Sequence, residues 1–226
     1  NQDDETLIWD EIWEQGADGT DRRVFSFDEA FEPESFCYHQ EIIIPSDSDE
    51  TTSFDWTHAN SLLLSPDEEA WILLVRHYDA VMRIDRTSGE IDWILGGPYA
   101  DLKLEPATPP LDHGHMSWYR DGEMLIFDNG NPREPPVSRL VGYALDEEEL
   151  SAERTLVWSD DEQTFSEWLG DVIALPQGTL LSSWTTAGRV LETSREGDLL
   201  WELNSEAYTA TGRVVWLEGF YGPAPD

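Results

Sequence analysis

The sequence predicts an all-β fold of the β-propeller kind. Three observations carry this: apolar runs of strand length, turn signals between them, and a hairpin end that recurs along the chain. The runs are Leu62–Leu64, Trp71–Val75, Val81–Ile84, Ile91–Leu95, Met124–Phe127, Leu140–Leu145, Thr155–Trp158, Val172–Leu175, Thr179–Trp184, Val190–Leu191 and Leu199–Leu203. Between them stand Ser65-Pro66-Asp67, Thr87-Ser88-Gly89, Asp121-Gly122, Pro176-Gln177-Gly178 and Arg195-Glu196-Gly197, which supply the residue types that turns require. Asp146–Glu153 has too few apolar positions to bury one face of a helix.

The hairpin end sets the organisation. Arg83-Ile84-Asp85, a turn closing at Gly89 and Ile91-Asp92-Trp93 form one copy; Val190-Leu191-Glu192, a turn closing at Gly197 and Leu199-Leu200-Trp201 form another. A looser copy runs from Tyr143-Ala144-Leu145 to Leu156-Val157-Trp158. The intervals between Trp93, Trp158 and Trp201 are 65 and 43 residues, and the second matches the ~40–45 residues of a four-stranded blade. These tryptophans are expected to pack between blades. Asp55–Gly97, His113–Trp158 and Gly170–Leu203 read as three blades of one domain spanning residues 1–226, and residues 1–54 supply strands around Leu7–Trp13, Val24–Phe27 and Glu41–Ile44 for one more blade or parts of two. Asn1 is not an initiator methionine and stands directly before a strand, so the expectation is a chain that is part of a larger propeller, completed by a second polypeptide or a further segment.

Composition narrows the partners. Asp and Glu number 48 against 13 basic residues, giving a formal charge of −35, and Lys103 is the single lysine. Such a surface repels nucleic acid and anionic lipid, whose phosphates need Lys or Arg to displace counterions. No apolar stretch approaches the ~18 residues of a spanning helix. With 39% hydrophobic residues and 11 Trp the chain holds enough apolar surface for a core. Cys37 is the single cysteine, so no internal disulfide framework is expected.

The chemistry-bearing residues fall in ordered motifs. Asp55-Trp56-Thr57-His58-Ala59-Asn60-Ser61, Leu73-Leu74-Val75-Arg76 and Gly89-Glu90-Ile91-Asp92-Trp93-Ile94-Leu95-Gly96-Gly97 come first. Asp112-His113-Gly114-His115, Leu125-Ile126-Phe127-Asp128-Asn129-Gly130, Ser138-Arg139, Gly170-Asp171-Val172 and Gly219-Phe220-Tyr221-Gly222-Pro223 follow. In content and order this series resembles the arylsulfotransferase family, strongly from Asp55 onward and weakly over residues 1–54. The resemblance implies a six-bladed, exported propeller, secreted or periplasmic, in which a histidine takes a sulfuryl group from an aryl sulfate and passes it to a phenol. It implies no cofactor, and no Gly-rich phosphate loop is present in the sequence. By motif, His58, Asn60 and Arg76 would hold the sulfuryl oxygens, and His113 or His115 would attack. Two departures stand out: Asp112 replaces the family's usual glutamine, and a further upstream histidine has no equivalent.

The residue types suit that chemistry. Sulfuryl transfer spreads negative charge over oxygens and needs fixed donors; Arg76 offers a permanently charged fork and Asn60 a neutral donor. A neutral imidazole, oriented by an acceptor such as Asp112 or Asp128, is a competent nucleophile, and His58 could protonate the departing phenolate. Asp128 and Asn129, within a turn signal, are placed among the substrate-binding candidates. His113 and His115 could form half of a metal site, but no third ligand has suggestive spacing. His77, read on a strand beside Arg76, is expected to point away from it and serve structure. His39 carries no assignment. The reading from another class is a propeller that binds without catalysing.

Overall fold

The computed structural model describes residues 6–32, 43–45, 52–105, 114–205 and 211–217. Cys37, His39, Asp112 and His113 lie outside them. Within the described residues the chain is all-β, with mostly antiparallel sheets.

The N-terminal part holds β1 (Thr6–Ile8), β2 (Glu11–Gln15), β3 (Asp21–Ser26), a single helical turn α1 (Phe27–Ala30), β4 (Ile43–Pro45) and β5 (Thr52–Asp55). β2 and β3 form an antiparallel hairpin, while β5 pairs in parallel with β1 and antiparallel with β4. Three meanders follow. The first is β6 (Ala59–Leu64), β7 (Ala70–Val75), β8 (Ala80–Asp85) and β9 (Ile91–Gly96). The second begins with β10 (Lys103–Glu105), which pairs in parallel with its last strand, and continues through β11 (Gly114–Arg120), β12 (Glu123–Asp128), β13 (Arg139–Asp146) and β14 (Ser151–Trp158). The third is β15 (Asp171–Ala174), β16 (Leu180–Trp184), β17 (Arg189–Thr193) and β18 (Leu199–Asn204).

Each strand run expected from sequence lies on one of these strands to within about a residue. The central strands are continuous apolar runs because both of their faces are covered. On β7, Leu73 and Val75 pack toward the β2–β3 hairpin while Ile72 and Leu74 pack toward the second meander. On β12, Met124 and Ile126 face the first meander and Leu125 and Phe127 the third. Each such side chain, fully removed from water, contributes about 1.5–3 kcal/mol. The sheets therefore stack in chain order, and their first strands lie side by side: the Ser61 hydroxyl on β6 meets that of Ser117 on β11 at 3.1 Å.

The repeated tryptophans do not share one fate. Trp93 is buried between the first two meanders, and Trp158 donates from Nε1 to the Gly197 carbonyl at 3.0 Å. Trp201 departs from the expectation that it packs between blades. It is 49% exposed on β18, beside Leu200 and Leu203, because no sheet among the described residues covers that strand.

One glycine shows how tightly the last two sheets meet. Gly170 has φ +117°, and a β-carbon there would lie 2.3 Å from the Phe127 ring. Gly178 also has positive φ (+91°), with nothing within 4 Å. Gly170→Ala is expected to cost about 1–3 kcal/mol from overpacking beyond its backbone strain, and Gly178→Ala the strain alone. Urea unfolding of the two variants measures the difference; equal midpoints would contradict the packing.

Candidate active site

The site begins with an irregular segment between β5 and β6. His58 has φ 53°, a left-handed conformation costly for a residue with a side chain. The surroundings hold it there. Asp10, just past β1, accepts from the Thr57 hydroxyl at 2.5 Å and from the Ala59 N–H at 2.7 Å. Its own N–H donates to Thr57 Oγ1 at 3.0 Å. From the other side, the N–H groups of Arg76 and His77 donate to the His58 and Thr57 carbonyls at 3.1 and 3.2 Å.

Arg76 does not continue β7. Residues Arg76–Tyr78 form a 3-10 turn, so strand alternation no longer decides where His77 points. The His77 ring centre is 5.0 Å from that of His58. Asp55 joins the two. Its carboxylate pairs with His58 Nδ1, and its backbone carbonyl accepts from His77 Nδ1 at 2.8 Å. Burial, the largest single influence, works to raise the Asp55 pKa, but the hydrogen bonds from His58 and the charges of His58 and His77 together outweigh it, and the carboxyl stays below its usual range. His77, 3% exposed, is pushed below its ordinary value by burial, with Asp55 opposing and the charges of His58 and Arg76 adding to the effect.

His115 enters from β11. Its Nδ1 lies 3.1 Å from the Gly170 carbonyl. A carbonyl can only accept, so Nδ1 carries the proton and Nε2 keeps its lone pair. Burial drives its pKa down to about 4; the Gly170 bond opposes this, and the positive charges of Arg76 and His58 reinforce it. The charges of His58 and Arg76 thus both act on His115. Burial also lowers the Arg76 pKa, against the charges of Asp79 and Asp55. Asn60, two residues past His58, has a buried side-chain nitrogen with no hydrogen-bond partner among the described residues.

The side chains of Asp128 and Asn129, read as substrate-binding candidates, are engaged within the protein, and Asp128 lies opposite Gly114 across the β11–β12 pair. The Asp128 carboxylate is fully buried and paired with Arg133 at 2.5 Å and Arg139 at 2.7 Å. The Asn129 amide nitrogen donates to the Ser166 and Leu169 carbonyls, both at 2.7 Å. Asn129 thus ties β12 to the loop that delivers Gly170, while Asp128 neutralises two guanidiniums. His113 lies outside the described residues. Sequence reasoning passed over Asp10, Asp55 and the role of His77; the signal for Asp55 was its place three residues before His58.

Asp55, His58 and His77 could also hold a cation, since each offers a ligand atom within 4.8 Å of the others. The bonds from both histidines to Asp55 already engage those groups, and the neighbouring Arg76 charge works against a cation.

His58, Asn60, Arg76 and His115 thus stand on or beside strands of neighbouring sheets. The family follows from the sequence: the arylsulfotransferase (ASST) model matches residues 2–211, and the chain belongs to that family. The match takes in the N-terminal 54 residues, where the motif resemblance is weak, and leaves out the Gly219–Pro223 ending. A search among curated proteins finds no match. Among solved structures, a putative 6-phosphogluconolactonase from Bacteroides fragilis is similar over 87% of this chain and 52% of its own, at 10% identity and a TM-score of 0.49. The Pseudomonas aeruginosa periplasmic gluconolactonase gives 92%, 66%, 14% and 0.38, and Saccharomyces cerevisiae Sqt1 gives 86%, 42%, 8% and 0.47. The chain spans about half the length of the first of these.

The depressed His115 pKa fixes a sign. As pH falls through 6.5, the unfolded chain takes up a proton that folded His115 refuses until about 4. Folding stability therefore declines across that window through this residue. In an NMR titration His115 is expected to turn over near 4 and to move upward in Arg76→Gln, which removes a like charge. A midpoint at or above 6.5 would contradict the site.

Proposed function

We propose that the chain is the histidine-bearing part of a β-propeller sulfotransferase, moving a sulfuryl group from an aryl sulfate to a phenol through sulfo-His115 without a nucleotide donor. The observation that carries this is the His115 imidazole, neutral and protonated on Nδ1 by its contact with a carbonyl. Its Nε2 lone pair attacks sulfur, the sulfur–aryl oxygen bond breaks, and the oxygen leaves with the bonding pair. His58, oriented through Nδ1 by Asp55, gives that oxygen a proton from Nε2. In the second half His58 takes the proton of an incoming phenol, whose oxygen attacks sulfur, and the N–S pair returns to His115. Arg76 and the unpartnered amide of Asn60 supply donors to the oxygens, which carry most of the charge in each transition state. His115, the described member of the His113–His115 pair, is the nucleophile in this reading.

The three meanders are read as blades, and the exposed apolar face of β18 as the place where a further blade docks, on a second polypeptide or another segment. A secreted or periplasmic setting belongs to the same reading.

The test is incubation with 4-nitrophenyl sulfate and phenol, following nitrophenolate. His115→Ala is expected to abolish turnover, and Arg76→Gln to lower it about 10²–10³-fold, as for loss of one preorganised donor. Full turnover in His115→Ala would refute the mechanism.

A further inference from the structure

A cavity lies along β11 and β15, beyond the histidine cluster. Its volume is about 600 Å³, within the usual range for small-molecule sites. Ser117, two residues past His115, and Asp171, directly after Gly170, form its near wall, so it shares strands with the cluster but none of the proposed catalytic residues.

Its charge is unlike the rest of the molecule. In a chain of net charge −35 carboxylates are abundant, and most arginines among the described residues form ion pairs with them. Arg120 and Arg213 have no ion pair or hydrogen bond among the described residues, and both line this cavity. A third lining guanidinium, Arg195, is held by Glu123 through two contacts, one of 3.0 Å. The other lining carboxylate is Asp171, which is 3% exposed and accepts the Val214 N–H at 2.9 Å. Burial raises the Asp171 pKa, with Arg213 opposing. The cavity thus holds three cationic groups against two carboxylates, one neutralised by pairing and one turned into the backbone. Trp118, Trp216, Leu63 and Ile173 supply ring faces and aliphatic surface between the charges.

We propose that this cavity is a binding site for a small aromatic oxyanion, an aryl sulfonate, sulfate or carboxylate, its acidic group between Arg120 and Arg213 and its ring against Trp118 and Trp216. Guanidinium forks match such oxyanions, and indole faces accept rings at little entropic cost. The site stands on this cavity alone and does not depend on chemistry at His115.

The experiment measures binding of 4-nitrobenzenesulfonate by calorimetry. Its sulfur is bound to carbon, so no sulfuryl group can leave. The protein is the full chain carrying Arg76→Gln, so that the histidine cluster lacks its charged oxyanion donor. Saturable binding of one equivalent is expected. Arg120→Gln and Arg213→Gln, each added to that background, are expected to weaken it roughly tenfold or more, the lower end for a charged hydrogen bond. Arg120→Lys should recover part of the loss. Nitrobenzene and inorganic sulfate should each bind at least about tenfold more weakly than the probe, since each lacks half of the recognition. Both arginines are exposed, and unchanged thermal unfolding verifies that the variants fold. Absence of saturable binding in the Arg76→Gln protein, or affinity unaltered by both arginine substitutions, would overturn the proposal. Nitrobenzene or sulfate binding as tightly as the probe would overturn the assigned ligand class.

Discussion

Burial of both faces of β7, β8, β12 and β13 is the constraint on which the rest of the structure depends. A sheet covered on one side could slide against its neighbour; one covered on both sides is fixed in position and register. With Leu73 and Val75 committed one way and Ile72 and Leu74 the other, β6 and β11 are brought side by side. The Ser61–Ser117 contact follows, and the His115–Gly170 bond marks the same relation between β11 and the start of β15. The candidate site is thus a consequence of stacking order. Residues separated by more than fifty positions meet because the strands that carry them begin at the same end.

Within that frame, a strongly acidic chain keeps a locally cationic site by spending single carboxylates on several partners. Asp55 serves two histidines, one through its side chain and one through its carbonyl. Asp10 uses its side chain and its backbone N–H to hold the segment in which His58 takes a strained conformation. Asp128 neutralises two guanidiniums inside the protein. None of the three leaves an idle negative charge facing the cluster, and His115 stays neutral beside the Arg76 charge because burial and that charge act together.

Much of the fold was legible because strand runs and turns are local signals. β12 reads as Met124–Phe127 with a turn behind it, and the structure places it there. β11 was invisible as a strand: Gly-His-Met-Ser-Trp-Tyr-Arg mixes polar and aromatic residues because an inner strand borders the site and its cavity. Motif order named His58, Arg76 and either His113 or His115, and the charges of Arg76 and His58 act on His115. The motif Asp128-Asn129 did not disclose its partners: Asp128 pairs with Arg133 and Arg139, and Asn129 reaches the 166–169 loop, about forty residues on. The strand expected to run through Arg76 ends before it, where the backbone turns. Asp10 lies 47 residues from Thr57, a pairing that only the fold discloses.

The central claim is that His115 is the group that accepts the sulfuryl from its donor. The most direct measurement is to mix the protein with 4-nitrophenyl sulfate alone, quench at alkaline pH, where a sulfo-imidazole survives, and fragment the peptide carrying His113 and His115 by mass spectrometry. The account predicts one added sulfuryl group on His115 and none in His115→Ala. The same group located on His113, or on no histidine while nitrophenolate is released, would contradict it.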